Sequence, residues 1–355
     1  MPYSCCKSVV MWMSSSNCSS LRPRASTPPY SSRTQQKRRL QRLICGLHVV
    51  FSRAEVLESW VLVEVVDGRN GLRVSFSVLV TQNPLVLKYH NGDLLKGPVT
   101  VNLVWYGKFT PVQRSIIVDF LQSFNTPKTL KKISTPLPSV ATWWKTTERY
   151  HNGSSATLVG KQILDENYSL GKLLKNYHIQ YLATKIAQPK SINVVLTAKD
   201  VGVDGFCMSR CGTHGSTKTK PRVAYAWVGN SETQCPGQCA WPFHQPVYGP
   251  QSPALVAPNG DVGVDGMVIN LATVLAGAVT NPFNEGFFQG PPTAPLEAVS
   301  ACTGIFGSGA YPGYAGQVLV DKTTGASYNA HGLNGRKYLI PAMWDPKTSA
   351  CSTLV

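Results

Sequence analysis

Six cysteines, Cys207, Cys211, Cys235, Cys239, Cys302 and Cys351, lie in the C-terminal part of this 355-residue chain, and four more, Cys5, Cys6, Cys18 and Cys45, precede them. An even set at irregular spacing, among many Gly, Pro and Trp residues, reads as disulfides and implies an oxidising compartment. The spacing leaves the pairing open. It also leaves an alternative, because Cys207 and Cys211 with Cys235 and Cys239 have the separations of a four-thiolate zinc site, with His214 and His244 close by in sequence. Cys302 and Cys351 complete an even set, which favours disulfides.

The chain exceeds the roughly 100–200 residues of a usual domain, so one large domain with an extension or two domains are expected. Apolar residues make up 43% and charged ones 15%, a composition that supports a sizeable core. The formal charge is +16, but residues 81–355 hold 23 Lys/Arg against 14 Asp/Glu, spread thinly. That distribution lacks the dense basic stripe of a nucleic-acid binder and suits an acidic polysaccharide. Residues 1–54 contain no Asp or Glu, are rich in Ser and Arg, and carry Pro28-Pro29 and Lys37-Arg-Arg39. No charged, apolar and small-residue succession of a signal peptide opens the chain. Residues 1–83 are therefore expected to be an atypical, disordered leader. Three readings compete for it: a non-native start that replaced a true signal, a plastid transit segment, or a functional basic arm. Residues 84–355 are expected to be one domain, extracellular by its cysteines and by the sequons Asn152-Gly-Ser and Asn167-Tyr-Ser. The apolar stretches 43–51 and 61–66 are too short to span a bilayer, which needs about 20 residues.

After Pro84 strands and helices alternate. Val99–Tyr106 and Ile192–Thr197 read as strands by their β-branched runs, as do Leu158–Leu164 and Val223–Val228. Pro111 opens a helix in which Ile116, Ile117, Phe120, Leu121 and Phe124 recur on one face. Ser139–Tyr150 and His178–Ala187 read as helices. Met267–Val279, apolar almost throughout, reads as a central buried helix ended by Asn281-Pro282. The fold class is α/β, mixed α+β, as a single domain with a mixed sheet and a central buried helix.

Several segments are unusual enough to identify a family. They are Tyr89-His-Asn-Gly92, Val101-Asn-Leu-Val-Trp-Tyr-Gly107, Pro138-Ser-Val-Ala-Thr-Trp-Trp-Lys-Thr-Thr147, Gly205-Phe-Cys-Met-Ser-Arg-Cys-Gly-Thr-His-Gly215, the run from Trp227 to His244, and Gly335-Arg-Lys-Tyr338. Over residues 85–355 the chain resembles the plant EXORDIUM, or phosphate-induced protein, family. The resemblance implies a secreted protein of the apoplast or cell wall, linked to growth, brassinosteroid response and carbon status, with no enzymatic activity and no cofactor. Its expected partner is a cell-wall glycan, an extracellular peptide or a receptor.

The order of strand, helix, further strands and buried helix is also that of zinc metalloproteases. Their helix carries two histidines one turn apart and a glutamate base. Here Thr273-Val-Leu-Ala-Gly-Ala-Val-Thr-Asn-Pro282 is similar to the end of a zincin-like helix, with ligand and base positions falling on Thr273, Val274 and Gly277. None of these can bind zinc or move a proton. Leu296–Cys302 is similar to the segment that follows such helices, with Ser300 where a liganding acid would sit. A zincin-like scaffold that has lost its metal site is one reading, and an ordinary buried helix in an unrelated α/β fold is the other. No catalytic residue is assigned. Asp165-Glu166 reads as a solvated turn rather than a glycosidase carboxylate pair. Asp204, Asp261 and Asp265 sit in Gly-rich turns where Asp bonds the backbone locally. Trp241, His244 and Tyr314 are the candidate ligand contacts, while Trp143 and Trp144 read as core. An extracellular hydrolase with an unrecognised site is the alternative function.

Overall fold

The computed structural model describes residues 85–125, 136–218 and 220–355, with the backbone of 49–57, 60–67 and 73–79. The chain divides into two compact units between Pro84 and Leu85. In the first, Val49–Leu57, Trp60–Asp67 and Arg73–Leu79 pair in order as an antiparallel meander. The leader expected at residues 1–83 lies outside the described residues except for the backbone of these three strands. The run Val61-Leu-Val-Glu-Val-Val66 supplies the β-branched residues for the middle strand.

The second unit, Leu85–Val355, is built on a five-stranded mixed sheet. Its strands are β1 (Gly97–Tyr106), β2 (Ser154–Asp165), β3 (Ser191–Thr197), β4 (Gly212–Ser216) and β5 (Ala224–Gly229), in the order β4-β5-β3-β1-β2. All neighbours are parallel except β4, which runs antiparallel to β5. Every residue of β3 is buried, as expected for a strand in the middle of a parallel sheet covered on both faces. The strand expected at Val223–Val228 is β5, second from the edge. The edge is β4, whose Gly-Thr-His-Gly-Ser has no alternation of apolar and polar residues to announce it.

Helix α1 (Pro111–Gln122) starts with proline in its first turn and a reciprocal cap: Gln113 N donates to Thr110 Oγ1 at 3.2 Å, and Thr110 N donates to Gln113 Oε1 at 3.0 Å. The expected helix 139–150 is broken into α2 (Val140–Trp144) and a 3₁₀ turn Lys145–Arg149. Thr147 Oγ1 bonds both Trp144 O and Ser154 O, which draws the chain out of the α-helical path. Helix α3 is Asn176–Thr184, and α4 is the short Pro236–Cys239. The central helix α5 (Val262–Thr280) is capped by Asp261, whose Oδ1 accepts Val264 N at 2.9 Å. Its length and mean hydropathy of 1.8 would suit a bilayer span, but 83% of that stretch is buried inside this unit.

Register sorts the sheet residues onto two faces. Ile192, Val194 and Leu196 share one with Ala224, Ala226 and Val228, and α5 packs against it. Asn193, Val195 and Thr197 share the other with Tyr225 and Trp227, and α3 covers it. Two buried asparagines tie the strands laterally. Asn102 Nδ2 donates to Asn193 Oδ1 (2.9 Å) and Ile186 O (3.1 Å), Asn102 Oδ1 accepts Lys161 N (2.9 Å), and Asn193 Nδ2 donates to Ala224 O (3.1 Å). The ladder between β1 and β2 shifts register at this point, and the Asn102 amide fills the gap. Trp143 and Trp144 are core residues, with Trp144 stacked on Phe124 at 4.2 Å between ring centroids.

The six cysteines form Cys207–Cys235, Cys211–Cys239 and Cys302–Cys351. The first two fasten the loop before β4 to α4. All four sulfurs of the zinc alternative are therefore engaged in disulfide bonds.

Candidate functional site

The antiparallel course of β4 turns Gly212 and His214 toward α5. A Cβ on Gly212 would stand 3.2 Å from Val274 Cγ1, so strand and helix approach closely there. One turn further on, Gly277 leaves a space, and the His214 imidazole fills it. His214 Nε2 lies 2.6 Å from Glu297 Oε2, the two side chains being 9% and 11% exposed. A Cβ on Gly277 would stand 2.5 Å from that nitrogen and 2.7 Å from that oxygen. Gly277 is required here for its lack of a side chain.

Glu297 is held from several directions. Its Oε1 accepts Asn281 Nδ2 at 2.7 Å, Asn281 Oδ1 accepts Gly286 N at 2.8 Å, and Glu297 N donates to Ser300 Oγ at 2.8 Å. The carboxylate thus has hydrogen-bond partners on both oxygens, as a buried acid requires. His214 Nδ1 is buried with no partner among the described residues. The pair sits where sequence reading placed lost ligand positions. Thr273 Oγ1 bonds back to Ile269 O at 2.9 Å, and Val274 packs in the core. Ser300, read as a lost liganding position, instead positions the Glu297 backbone. No group of three or more His, Cys, Asp or Glu gathers as a metal centre among the described residues. The arrangement has a proton carrier in His214 but, among the described residues, no nucleophile bonded to its Nδ1.

On the opposite face of β4 lies a cavity of about 250 Å³ lined by Asn176, Ile179, Arg210, Thr213, His214 and Tyr225. The His214 side chain belongs to the α5 face, since His214 pairs with Ala226, while Thr213 shares the cavity's face with Trp227. Arg210 Nη1 donates to Asn176 Oδ1 (3.3 Å) and to Asp204 O (3.4 Å), neither of them a carboxylate. Tyr225 Oη accepts Gln180 Nε2 at 3.0 Å, which leaves its own hydroxyl hydrogen available.

The remaining candidates are dispersed. Asp165 and Glu166 line a second cavity, of about 230 Å³, but Asp165 accepts Ser169 N at 3.0 Å in a local turn and Glu166 pairs with Arg114 at 3.6 Å. Trp241 packs against Phe306 at 5.7 Å beside a small second core, exposed His244 bonds Gln245 O, and Tyr314 faces Tyr311 at 5.1 Å. No ring contact joins Trp241, His244 and Tyr314 to one another among the described residues. Asn152 and Asn167 are both exposed in turns beside β2. Asp261 serves as the cap of α5, and Asp265 is buried. Burial pushes the Asp265 carboxyl up to about 7, against the hydrogen bonds it accepts from Asn259.

The sequence does not announce the pairing of His214 with Glu297. The sequence places His214 only beside the zinc alternative, and the 83 residues separating it from Glu297 hide their contact. The available signal was the zincin-like segment Leu296–Cys302, which contains the glutamate.

The sequence profile of the family described as "Phosphate-induced protein 1 conserved region" matches residues 87–354. The chain is 70% identical over 287 residues to "Protein EXORDIUM-like 2" of Arabidopsis thaliana, covering 79% of this chain and 93% of that protein. It is 62% identical over 284 residues to "Protein PHOSPHATE-INDUCED 1" of Nicotiana tabacum, covering 76% and 88%. Against "Protein EXORDIUM" of Arabidopsis thaliana it is 61% identical over 303 residues, covering 80% and 95%. No solved structure matches the chain.

Proposed function

This chain belongs to the EXORDIUM and phosphate-induced protein family, and on that premise we propose that it is an extracellular, cell-wall-associated protein of plant growth control that acts by binding. Three disulfides and two exposed sequons support the extracellular setting. The observation that carries the binding reading is the His214–Glu297 pair in front of Gly277. In a zincin-like scaffold the substrate's scissile bond is activated at that end of the helix. Here the helix offers Thr, Val and Gly, and the space is taken by the His214 and Glu297 side chains, which bond each other through Nε2 and Oε2. The sheet order β4-β5-β3-β1-β2, with an antiparallel edge strand and the helix laid on the sheet, agrees with a scaffold of that kind. The partner is an extracellular wall component or receptor rather than a nucleic acid.

Full-length protein secreted from plant cells tests this reading. Incubated with wall polysaccharides and wall protein, it is expected to bind without generating new reducing ends or new amino termini. Sustained release of either product, abolished by substituting Glu297, would establish the hydrolase alternative instead.

A further inference from the structure

The outer edge of β4 is the last row of the sheet, and no strand among the described residues pairs with it. Register decides which backbone groups face outward. Gly229 N donates to Cys211 O at 3.3 Å and Thr217 N to Val223 O at 3.0 Å, so the residue pairs that exchange hydrogen bonds with β5 are the odd-numbered positions, including Thr213 with Trp227 and Gly215 with Tyr225. The N–H and C=O groups of Gly212, His214 and Ser216 therefore point away from β5. No described residue bonds to them. A row of alternating donors and acceptors at strand spacing is a template for another extended chain.

The surroundings restrict what that chain is. At one end stands Arg210, a guanidinium whose hydrogen-bond partners among the described residues are an amide and a carbonyl. At the other end the turn after β4 carries Lys218 and Lys220, both exposed and without an acidic partner among the described residues. An acidic segment complements both ends. The cavity of about 250 Å³ beside Thr213 opens between β4 and α3, with Ile179 and Tyr225 as its apolar lining and Arg210 as its charge. Alternate side chains of an added strand point to the same face, so one of them is directed at this cavity. The backbone of β4 is preset as well: Glu297 holds the His214 side chain from the inner face, so little ordering is needed on binding.

We propose that the open edge of β4 receives an extended acidic peptide segment of an extracellular partner, added as a sixth strand along Gly212–Ser216 with a carboxylate at Arg210. This rests on the binding reading above and gives its partner a chemistry. A polyuronate chain matches the charges but has no amide row to meet the outward N–H and C=O groups.

The test uses full-length protein and a fluorescent hexapeptide of alternating Glu and Val with both termini blocked, followed by anisotropy. The peptide is expected to bind saturably, and its analogue N-methylated at alternate amides to bind at least about tenfold more weakly, because the ladder is lost while the charge is kept. Arg210→Gln is expected to weaken the unmodified peptide by about five- to tenfold. Amide exchange at Gly212, His214 and Ser216 should slow on binding, with Thr213 and Gly215 unchanged. Equal binding of the N-methylated analogue, or no binding of the peptide, overturns the proposal whatever Arg210→Gln does. Binding of hexagalacturonate without peptide binding also overturns it, yet leaves the binding reading standing; turnover of wall material removes that reading separately.

Discussion

His214 Nε2 and Glu297 Oε2 meet at 2.6 Å across the position where a side chain on Gly277 would stand. Replacing glycine by alanine inside a helix ordinarily stabilises it, by about 0.5–1 kcal/mol. At Gly277 the sign reverses. The new methyl would expel one member of a buried hydrogen-bonded pair, and Gly277→Ala is expected to destabilise by about 3 kcal/mol in urea denaturation. In a His214→Ala background the same change should recover most of that loss, and a purely additive double-mutant cycle would refute the packing relationship.

The Cys207–Cys235 and Cys211–Cys239 disulfides each close a separation of 28 residues, and the two loops nearly coincide. Loss of either bond alone leaves the unfolded chain almost as constrained as before. Each paired Cys→Ala replacement should therefore have a small effect, and removal of both bonds a loss of about 3–4 kcal/mol. Cys302–Cys351 closes a separation of 49 on its own, and its removal should cost about 4 kcal/mol without partners to compensate. Thermal melting of the three variants checks the non-additivity.

Asp265 gives the fold a pH dependence of definite sign. Its carboxyl is raised from 3.8 to about 7 by burial, with the nearby Asp261 adding to the rise. Between those values the native state binds a proton that the unfolded state has released, so stability falls as pH rises from about 4 to about 7. The contribution is fully present below pH 4 and is of order 4 kcal/mol at most. Asp265→Asn, which stays neutral at every pH, should flatten this limb of the denaturation midpoint against pH. An unchanged slope in the variant would mean that another group is responsible.

Asn102 lies between β2 and β3 with both ends of its amide in use. Asn102→Leu keeps the volume and strands Lys161 N and Ile186 O without partners. A loss of about 2–4 kcal/mol is expected by urea denaturation, with protection of the Lys161 amide from exchange falling most.

Much of the sheet and both long helices were legible because their signals are local. β3 is a β-branched run, α1 has proline in its first turn and a repeating apolar face, and α5 is apolar almost throughout from Met267 to Val279. What escaped depends on partners distant in sequence. β4 is a strand because β5 pairs with it and two disulfides anchor its approach, while its own Gly-Thr-His-Gly-Ser would suit a loop. The helix expected at 139–150 stops early because Thr147 finds Ser154 O in β2. The candidate site was half visible: Thr273, Val274 and Gly277 stood out as positions without ligands, but what fills the space beside Gly277 comes from two other elements.

The apolar character of α5 bears on how the protein is made. On the proposed export route Val262–Thr280 would meet lipid before the sheet that covers it has closed, and its mean hydropathy of 1.8 resembles that of a membrane anchor. A charged aspartate at the centre of a span costs about 3 kcal/mol on lateral insertion, but Asp265 lies in the first turn, where the cost is smaller. What keeps this segment from lipid is therefore the folded sheet that buries 83% of it, rather than a charge in its middle.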